Sequence, residues 1–171
     1  MLDNPVPENT SHAAWQVMKF GGSSVAEGDN WGRIGVEAAK VLDAGDRAVI
    51  VVSAVSGITD LLEACLQAPA DFDPDATLAE VRRRHALLAA ATGADAGIPL
   101  LEPLEPLFDQ LRDALARVRV PGSGQEATPE QWAHVLAFGE LLSSRLGEQI
   151  LCSQGLDCQW LDSRELLIAG E

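Results

Sequence analysis

The sequence predicts a three-layer α/β protein in which a mainly parallel sheet lies between helices. Residues 16–20 form a short, largely apolar run that leads into two glycines, which predicts a first strand. Residues 47–53 contain five consecutive apolar residues, four of them β-branched, which suits a strand covered on both faces. A helical pattern separates the two runs. A strand, a helix and a strand in that order predict a parallel βαβ unit with a right-handed crossover.

The helix between these strands is predicted from its single apolar face. Apolar residues recur at i, i+4, i+7 and i+8 from Ile34, and Gly45 stands where a helix-ending glycine is expected. Asp29 or Asn30 is the predicted N-cap, because both side chains can accept a hydrogen bond from a free backbone amide.

Most of the chain beyond the second strand is predicted to be helical. One helix begins at Thr59 or Asp60, a second runs from about residue 77 to Gly93, and a third covers residues 104–118. Three consecutive arginines in the second helix are interpreted as a solvated helix face, with a phosphate-binding patch as the alternative; they are Arg82, Arg83 and Arg84.

The last part of the chain begins with a strong helix start. Residues 128–131, Thr-Pro-Glu-Gln, combine an N-cap, a proline at the first helical position and a capping-box glutamine. The helix is predicted to run to Gly155, with Gly139 interrupting it. Residues 158–161 are predicted to be a third strand, and residues 163–168 a short helix or turn.

The length and composition fit a single domain of ordinary size. The chain has 171 residues, of which 47% are hydrophobic, so it can bury a core. Residues 1–15 are predicted to be a flexible N-terminal tail, and residues 16–171 to form the domain, with a helical excursion at about 75–120.

The composition also narrows the partners and the location. The formal net charge is -14, from 12 Lys and Arg against 26 Asp and Glu, and nucleic-acid binding depends on a basic surface. No apolar run approaches the roughly 20 residues of a membrane helix. The first 12 residues resemble neither a secretory signal nor a transit peptide. We therefore expect a soluble, cytoplasmic protein that binds neither nucleic acid nor membrane.

Cysteine and histidine positions do not predict a metal site. The cysteines lack Cys-x-x-Cys spacing and are predicted to be reduced residues of the core; they are Cys65, Cys152 and Cys158. The histidines are scattered, without a partner at metal-ligand spacing; they are His12, His85 and His134. We expect no metal ion held by the protein itself.

The end of the first predicted strand has the features of a phosphate site. Lys19 places a positive charge there, and Gly21 and Gly22 allow a bend with positive φ that lets backbone amides approach a bulky anion. The spacing matches neither a Walker P-loop nor a Rossmann glycine motif. By itself, a lysine before two glycines is also typical of an ordinary turn.

Two further segments add candidate ligands. Residues 53–59, Ser-Ala-Val-Ser-Gly-Ile-Thr, follow the second strand at its carboxyl end, where open parallel sheets bind their ligands. Their small residues, hydroxyls and following helix N-terminus suit a carboxylate, although a plain turn with Thr59 as N-cap is equally consistent. Glu140, beside Gly139 in an apolar helix, is the other candidate, and a solvated glutamate is the alternative.

Together these segments resemble the N-terminal half of the aspartate kinases, members of the amino acid kinase family. Residues 19–25 are close to the Lys-Phe-Gly-Gly-Thr-Ser-Val signature, with Ser23 in place of threonine. The Ser-Ala-x-x-Gly-x-Thr loop, a helical region and a Gly-Glu-x-x-Ser helix follow in the family's order. The resemblance covers nearly everything from Val17 to Ile168, and its specificity lies in the combination.

The resemblance implies ATP-dependent phosphorylation of the side-chain carboxylate of L-aspartate, the first step toward lysine, threonine and methionine. It implies that Lys19 stabilises charge on the transferred group. It further implies that backbone amides bind the ATP phosphates at Gly21, Gly22 and Ser23. Aspartate would be bound by Thr59 and Glu140, with Glu140 pairing with its ammonium group and Ser53 a weaker candidate for the same pocket. Mg²⁺ would be ligated mainly by ATP.

In the family, a second half supplies an arginine, a Gly-Gly-Ser-Asp segment and the adenine pocket, and no Gly-Gly-Ser-Asp occurs here. We therefore expect a fragment or truncated protein that is inactive and binds ATP poorly alone, and a homo-oligomer at full length. The tail and residues 31–34 are similar to forms fused to diaminopimelate decarboxylase. Two alternatives stay open: another amino-acid kinase, acting on glutamate or a carbamate-type substrate, and a non-catalytic binding module.

Overall fold

Two parallel strands separated by helices open the fold. The computed structural model describes residues 13–67, 73–94, 99–118 and 127–166. In chain order, its elements are β1 (Trp15–Phe20), α1 (Gly22–Val25), α2 (Gly28–Asp43), β2 (Arg47–Val52), α3 (Ile58–Gln67), α4 (Pro74–Ala91), a 3-10 turn (Glu102–Leu104), α5 (Glu105–Val118), α6 (Pro129–Leu136), α7 (Phe138–Ser153) and α8 (Ser163–Leu166).

The two strands pair directly, side by side and in the same direction. Their register aligns Trp15 with Arg47 at one end and Phe20 with Val52 at the other. Both strands therefore end at the same edge of the sheet, and the segments that follow them start next to each other. The predicted α/β class with a parallel strand pair is confirmed.

The two faces of this sheet differ in burial. Val52 is buried on one face, and the partly buried Ile50 packs against the core on the same side. On the other face the exposed fractions are 62% for Trp15, 68% for Val17 and 45% for Val51. The sequence predicted that both faces of the second strand would be covered. Among the described residues, only one face is covered.

The core lies between α2, α7 and the helical region that precedes α7. Trp31 of α2 is 1% exposed, and its Nε1 donates a hydrogen bond to the Val25 carbonyl at 3.0 Å. Its ring lies over Gly147 of α7, where a Cβ would be 2.3 Å from the ring. Gly147 thus makes room for the largest side chain of the core.

The helical region forms as its apolar pattern predicts. The positions predicted to form one face of α4 are all buried: Leu78, Val81, His85 and Leu88. His85 packs edge-on against Phe108 of α5, with ring centroids 6.2 Å apart. An ion pair between Arg82 and Glu105 links the same two helices.

The predicted third strand is wrong. Residues 156–162 form no strand and instead run beside α7, which provides their polar partners. The backbone amide of Trp160 donates to Glu148 Oε1 at 2.8 Å, and its indole Nε1 donates to Ser144 Oγ at 2.9 Å. Because these groups bind a helix, they form no ladder with β2 among the described residues.

Two predicted helix starts fare differently. The capping box at Thr128 is confirmed, since its Oγ1 accepts from the Gln131 amide and the Gln131 side chain accepts from the Thr128 amide. The predicted N-cap of α2 is wrong. Glu27 occupies that position without a side-chain bond, while Asn30 lies inside the helix and donates to the Ser24 carbonyl.

Two smaller corrections concern α7 and the cysteines. The helix predicted from residue 128 to Gly155 with an interruption at Gly139 is instead divided at Ala137, between α6 and α7, and Gly139 lies within α7. Cys65 is buried as predicted, whereas Cys152 is exposed and Cys158 half-buried, so only one cysteine belongs to the core.

None of the helices in the described parts of the chain combines the length and apolar character needed to cross a bilayer.

His85 couples the stability of the fold to pH. Its side chain is fully buried, Nδ1 donates to the Val81 carbonyl at 2.8 Å, and Nε2 has no hydrogen-bond partner. Burial lowers the pKa of His85 below its usual 6.5, and the bond to Val81 only partly opposes this. Below pH 6.5, His85 binds a proton more readily in the unfolded chain than in the folded chain. The free energy of unfolding therefore decreases as the pH falls.

We expect the free energy of unfolding in urea to decrease from about pH 7 to about pH 5, with His85 contributing at most about 1.4 kcal/mol per pH unit. His85→Gln should flatten this slope whatever it does to absolute stability. His134→Gln, at an exposed site, controls for the loss of a histidine. An unchanged slope in the His85 variant would contradict the assignment.

Candidate functional site

The candidate site forms where the two strands end. The Ser53 amide donates a hydrogen bond to the Phe20 carbonyl at 3.0 Å, which holds the first residue after β2 against the last residue of β1. The glycine turn after β1 and loop 53–59 after β2 therefore leave the sheet together. This juxtaposition follows from the parallel register of the two strands.

The glycine turn differs from its predicted geometry. Gly21 has a φ of -78°, and Gly22 is not among the positive-φ glycines, so neither residue uses glycine's conformational freedom. The reason for Gly22 is steric, because a Cβ there would lie 2.7 Å from the Ala54 carbonyl oxygen. The turn and loop 53–59 are thus in direct backbone contact.

Lys19 and Ser23 lie on either side of this turn. A Cβ at Gly21 would be 3.9 Å from Lys19 Nζ, so the ammonium group lies close to the turn backbone. Lys19 and Ser23 are both exposed. The structure therefore places an accessible cation and an accessible hydroxyl beside Gly21.

Loop 53–59 turns sharply into α3. Gly57 has a φ of +76°, a conformation that favours glycine, and the Ile58 amide donates to the Val55 carbonyl at 3.0 Å. α3 begins at Ile58, so Thr59 lies within its first turn and is not its N-cap. Its side chain is exposed at the start of the helix.

The start of α7 packs against the same loop. Glu140 Oε1 accepts a hydrogen bond from the Ala54 amide at 3.2 Å. Gly139 is buried, and a Cβ there would lie 2.8 Å from Ala54 Cβ and 3.8 Å from Thr59 Oγ1. Glu140 is exposed but not merely solvated, because it is fixed to the loop that contains Ser53 and Thr59.

The three predicted segments therefore meet at one residue that was not predicted. Ala54 is 4% exposed and presents its carbonyl to Gly22, its Cβ to Gly139 and its amide to Glu140. The only sequence signal for this role is the small side chain that follows Ser53. The site combines a cation, a glycine turn with free hydroxyls, and an acceptor carboxylate, which together suit a ligand with both anionic and cationic groups.

Besides Ala54, one more residue that was not predicted for the site lies beside it. This residue is Arg84, the last of the three consecutive arginines. Arg83 is exposed and pairs with Glu80, in line with a solvated face. Arg84 donates from Nε to Glu80 Oε1 at 2.9 Å, and its Nη1 would lie 2.8 Å from a Cβ at Gly57. The two arginines hold the pKa of Glu80 down at about 2. The solvated interpretation thus fails for Arg84, which contacts the loop.

Gly139→Ala tests the contact between α7 and loop 53–59. The added Cβ would overlap Ala54, so we expect the free energy of unfolding to fall by about 1–3 kcal/mol. The matched control is Gly32→Ala in α2, where a Cβ meets nothing within 4 Å and should stabilise by up to about 1 kcal/mol. Urea unfolding measures both, and equal effects would contradict the close approach.

Comparison with known proteins gives the family of this chain. Residues 14–170 match the model of the amino acid kinase family. The chain is 31% identical over 174 residues to the bifunctional aspartokinase/homoserine dehydrogenase 1 of Arabidopsis thaliana, covering 98% of this chain and 18% of that protein. It is 31% identical over 153 residues to the aspartokinase of Chlamydia muridarum, covering 89% of this chain and 31% of that protein.

The fold agrees with solved aspartokinases. E. coli aspartokinase III in complex with aspartate and ADP superposes with a TM-score of 0.68 at 26% identity, covering 88% of this chain and 31% of that one. The complex of the same protein with lysine and aspartate gives a TM-score of 0.69 at 24% identity, which supports the fold alone. The chain spans less than a third of these relatives, and a fusion to diaminopimelate decarboxylase stays a prediction. Since the family model covers almost the whole chain, the chain belongs to the amino acid kinase family.

Proposed function

We propose that the protein containing this chain transfers the γ-phosphoryl group of ATP to the side-chain carboxylate of L-aspartate, giving 4-phospho-L-aspartate. This would be the first step toward lysine, threonine and methionine. The observation that carries the proposal is the convergence of the three motif segments on Ala54. Curated relatives that are aspartokinases support the kinase class.

The glycine turn is the proposed site of the ATP phosphates. The backbone amides of Gly21, Gly22 and Ser23 would donate hydrogen bonds to the phosphate oxygens. Lys19 would neutralise negative charge on the γ-phosphoryl group during its transfer. This assignment is supported by the position of Lys19 Nζ near the turn and by the exposure of Lys19 and Ser23. The E. coli relative was solved with ADP, which supports nucleotide use.

Aspartate is proposed to bind against loop 53–59. Glu140 would accept hydrogen bonds from the substrate ammonium through an oxygen that Ala54 leaves free, because the Ala54 amide occupies Oε1. Thr59 Oγ1 faces the same Gly139 surface and would donate to a substrate oxygen. Ser53, half-buried at the strand end, is the weaker candidate in this pocket.

Such a reaction suits a site without an evident general base. The attacking carboxylate is already an anion at neutral pH, so positioning and charge neutralisation carry the catalysis. In the described residues there is no group of three or more His, Cys, Asp or Glu side chains that could hold a metal ion. We accordingly propose that Mg²⁺ arrives on ATP and is ligated mainly by its phosphates.

Lys19→Ala tests the catalytic assignment. In a protein that joins this chain to the remaining part of an aspartokinase, we expect kcat to fall by about 100-fold or more, with little change in KM for aspartate. Lys40→Ala is the matched control, since Lys40 is the only other lysine and pairs with Glu37 on the surface of α2. Steady-state kinetics that show similar small losses for both would reject a catalytic Lys19.

Glu140→Gln tests the aspartate site. Glutamine can still accept the Ala54 hydrogen bond, so the fold should persist while the charge that attracts the ammonium is lost. We expect KM for aspartate to rise by roughly 10-fold or more, as for loss of a charged hydrogen bond, with KM for ATP unchanged. Glu37→Gln, an exposed glutamate on α2, is the control. An unchanged KM for aspartate would rule out this role for Glu140.

The chain by itself provides the final test. We expect no aspartate-dependent ATP turnover in a coupled assay, because the resemblance places the adenine pocket and a catalytic aspartate in a second half. Addition of a catalytically competent aspartokinase serves as the positive control for the assay. Turnover by the 171-residue chain alone would overturn the proposal that half of the site lies elsewhere.

A further inference from the structure

Two cysteines lie in contact at the end of α7, away from the candidate kinase site. Cys152 is in the last turn of the helix, and Cys158 is in the segment that returns along it. Their Sγ atoms are 3.3 Å apart, closer than an ordinary van der Waals contact between sulfurs. Cys152 is exposed, so a small soluble oxidant can reach it.

The approach of the two thiols is built into the backbone. α7 ends in a Schellman motif in which the Leu156 amide donates to the Leu151 carbonyl and the Gly155 amide to the Cys152 carbonyl. Gly155 has a φ of +89°, which reverses the chain. This turn sets the start of the segment that carries Cys158.

The far side of the segment is fixed as well. Cys158 Sγ lies 3.6 Å from the Glu148 carbonyl, and the Trp160 amide donates to Glu148 Oε1 at 2.8 Å. The Trp160 indole donates to Ser144. With anchors before and after it, Cys158 is held over the helix.

From this geometry we propose that Cys152 and Cys158 form a reversible intramolecular disulfide, a redox modification site at the C-terminal end of α7. The co-reactant is a hydroperoxide. Cys152 gives up its proton to solvent and its thiolate attacks the peroxide, so an S–O bond forms, the O–O bond breaks, and the leaving oxygen takes a proton back from solvent to depart as water or an alcohol. Cys158 then attacks the sulfenic sulfur, the S–S bond forms and the S–O bond breaks, releasing water. Two thiols are oxidised, and one hydroperoxide is reduced.

The order of the two steps follows from the surroundings of each thiol. Burial, followed by the hydrogen bond with Cys152, which favours the protonated thiol, raises the pKa of Cys158 to about 12. Glu148 and Asp157 add to this by disfavouring a second negative charge. Cys158 is therefore a poor first nucleophile, and it acts as the resolving thiol after Cys152 has reacted.

The site is independent of the proposed kinase activity. Neither cysteine contacts Lys19, loop 53–59 or Glu140 in the hydrogen bonds of the described residues. The disulfide is an expectation for the chain itself, so it can hold or fail whatever the longer protein catalyses.

The test uses the 171-residue chain at low micromolar concentration, treated with hydrogen peroxide and then with an irreversible thiol-blocking reagent. Intact mass and non-reducing peptide mapping should show a monomer that has lost two hydrogens and carries a Cys152–Cys158 crosslink. Dithiothreitol should restore the original mass. Disulfide-linked dimers, or sulfinic acid at Cys152 without the crosslink, would overturn the proposal.

Three variants separate the roles. Cys158→Ser should leave a sulfenic acid at Cys152 that dimedone traps, whereas Cys152→Ser should leave Cys158 largely unmodified. Cys65→Ser, at the buried cysteine of α3, should form the crosslink at the native rate. If Cys158→Ser accumulated no more sulfenic acid than the native chain, Cys158 would not be the resolving thiol.

Discussion

The candidate site depends on the packing of the glycine turn and of α7 against Ala54 in loop 53–59. One small residue meets the glycine turn with its carbonyl, α7 with its methyl group and Glu140 with its amide. The first contact is with the turn after β1, and the other two are with adjacent residues at the start of α7. The candidate phosphate-binding turn and the candidate substrate-binding carboxylate therefore keep a fixed separation because both are held by the same residue.

The glycines around this contact serve two physical purposes. Gly22 and Gly139 are required because a Cβ would collide with Ala54, a steric requirement that backbone angles do not reveal. Gly57 is required because its φ of +76° lies in the left-handed region. The packing glycines bring three segments into contact, while Gly57 aims the loop into α3. The shape of the site therefore depends on glycines, which have no side chain, as much as on the polar groups that face solvent.

Local patterns predicted the elements well, because each rests on interactions between near neighbours. The strand that contains Lys19, the buried face of α4 and the capping box at Thr128 are examples. Two of the failures share a cause, which is dependence on partners outside the segment itself. The strand expected at residues 158–161 has suitable apolar residues but binds polar groups of α7, and the exposure of Cys152 depends on where that segment runs.

The same distinction applies to the candidate site. Residue types and their order along the chain were enough to nominate Lys19, Thr59 and Glu140, because the motif combination carries that information. No local sequence pattern predicted that these segments meet at Ala54, or that Arg84 lies beside Gly57. Both depend on how α3, α4 and α7 pack, and a single sequence gives no direct measure of that packing.

The electrostatic position of Lys19 is what would let so acidic a chain bind the phosphates proposed here. Among the described residues no carboxylate forms an ion pair with it, whereas Lys40 is already neutralised by Glu37. Lys19 also shares the open face of the sheet with the exposed side chains of Val17 and Val51. If the remaining part of the kinase domain covered this face, it would exclude water both from Lys19 and from the phosphate that is proposed to bind it. Lower polarity strengthens that attraction, so closing the apolar face and binding the phosphates would favour each other.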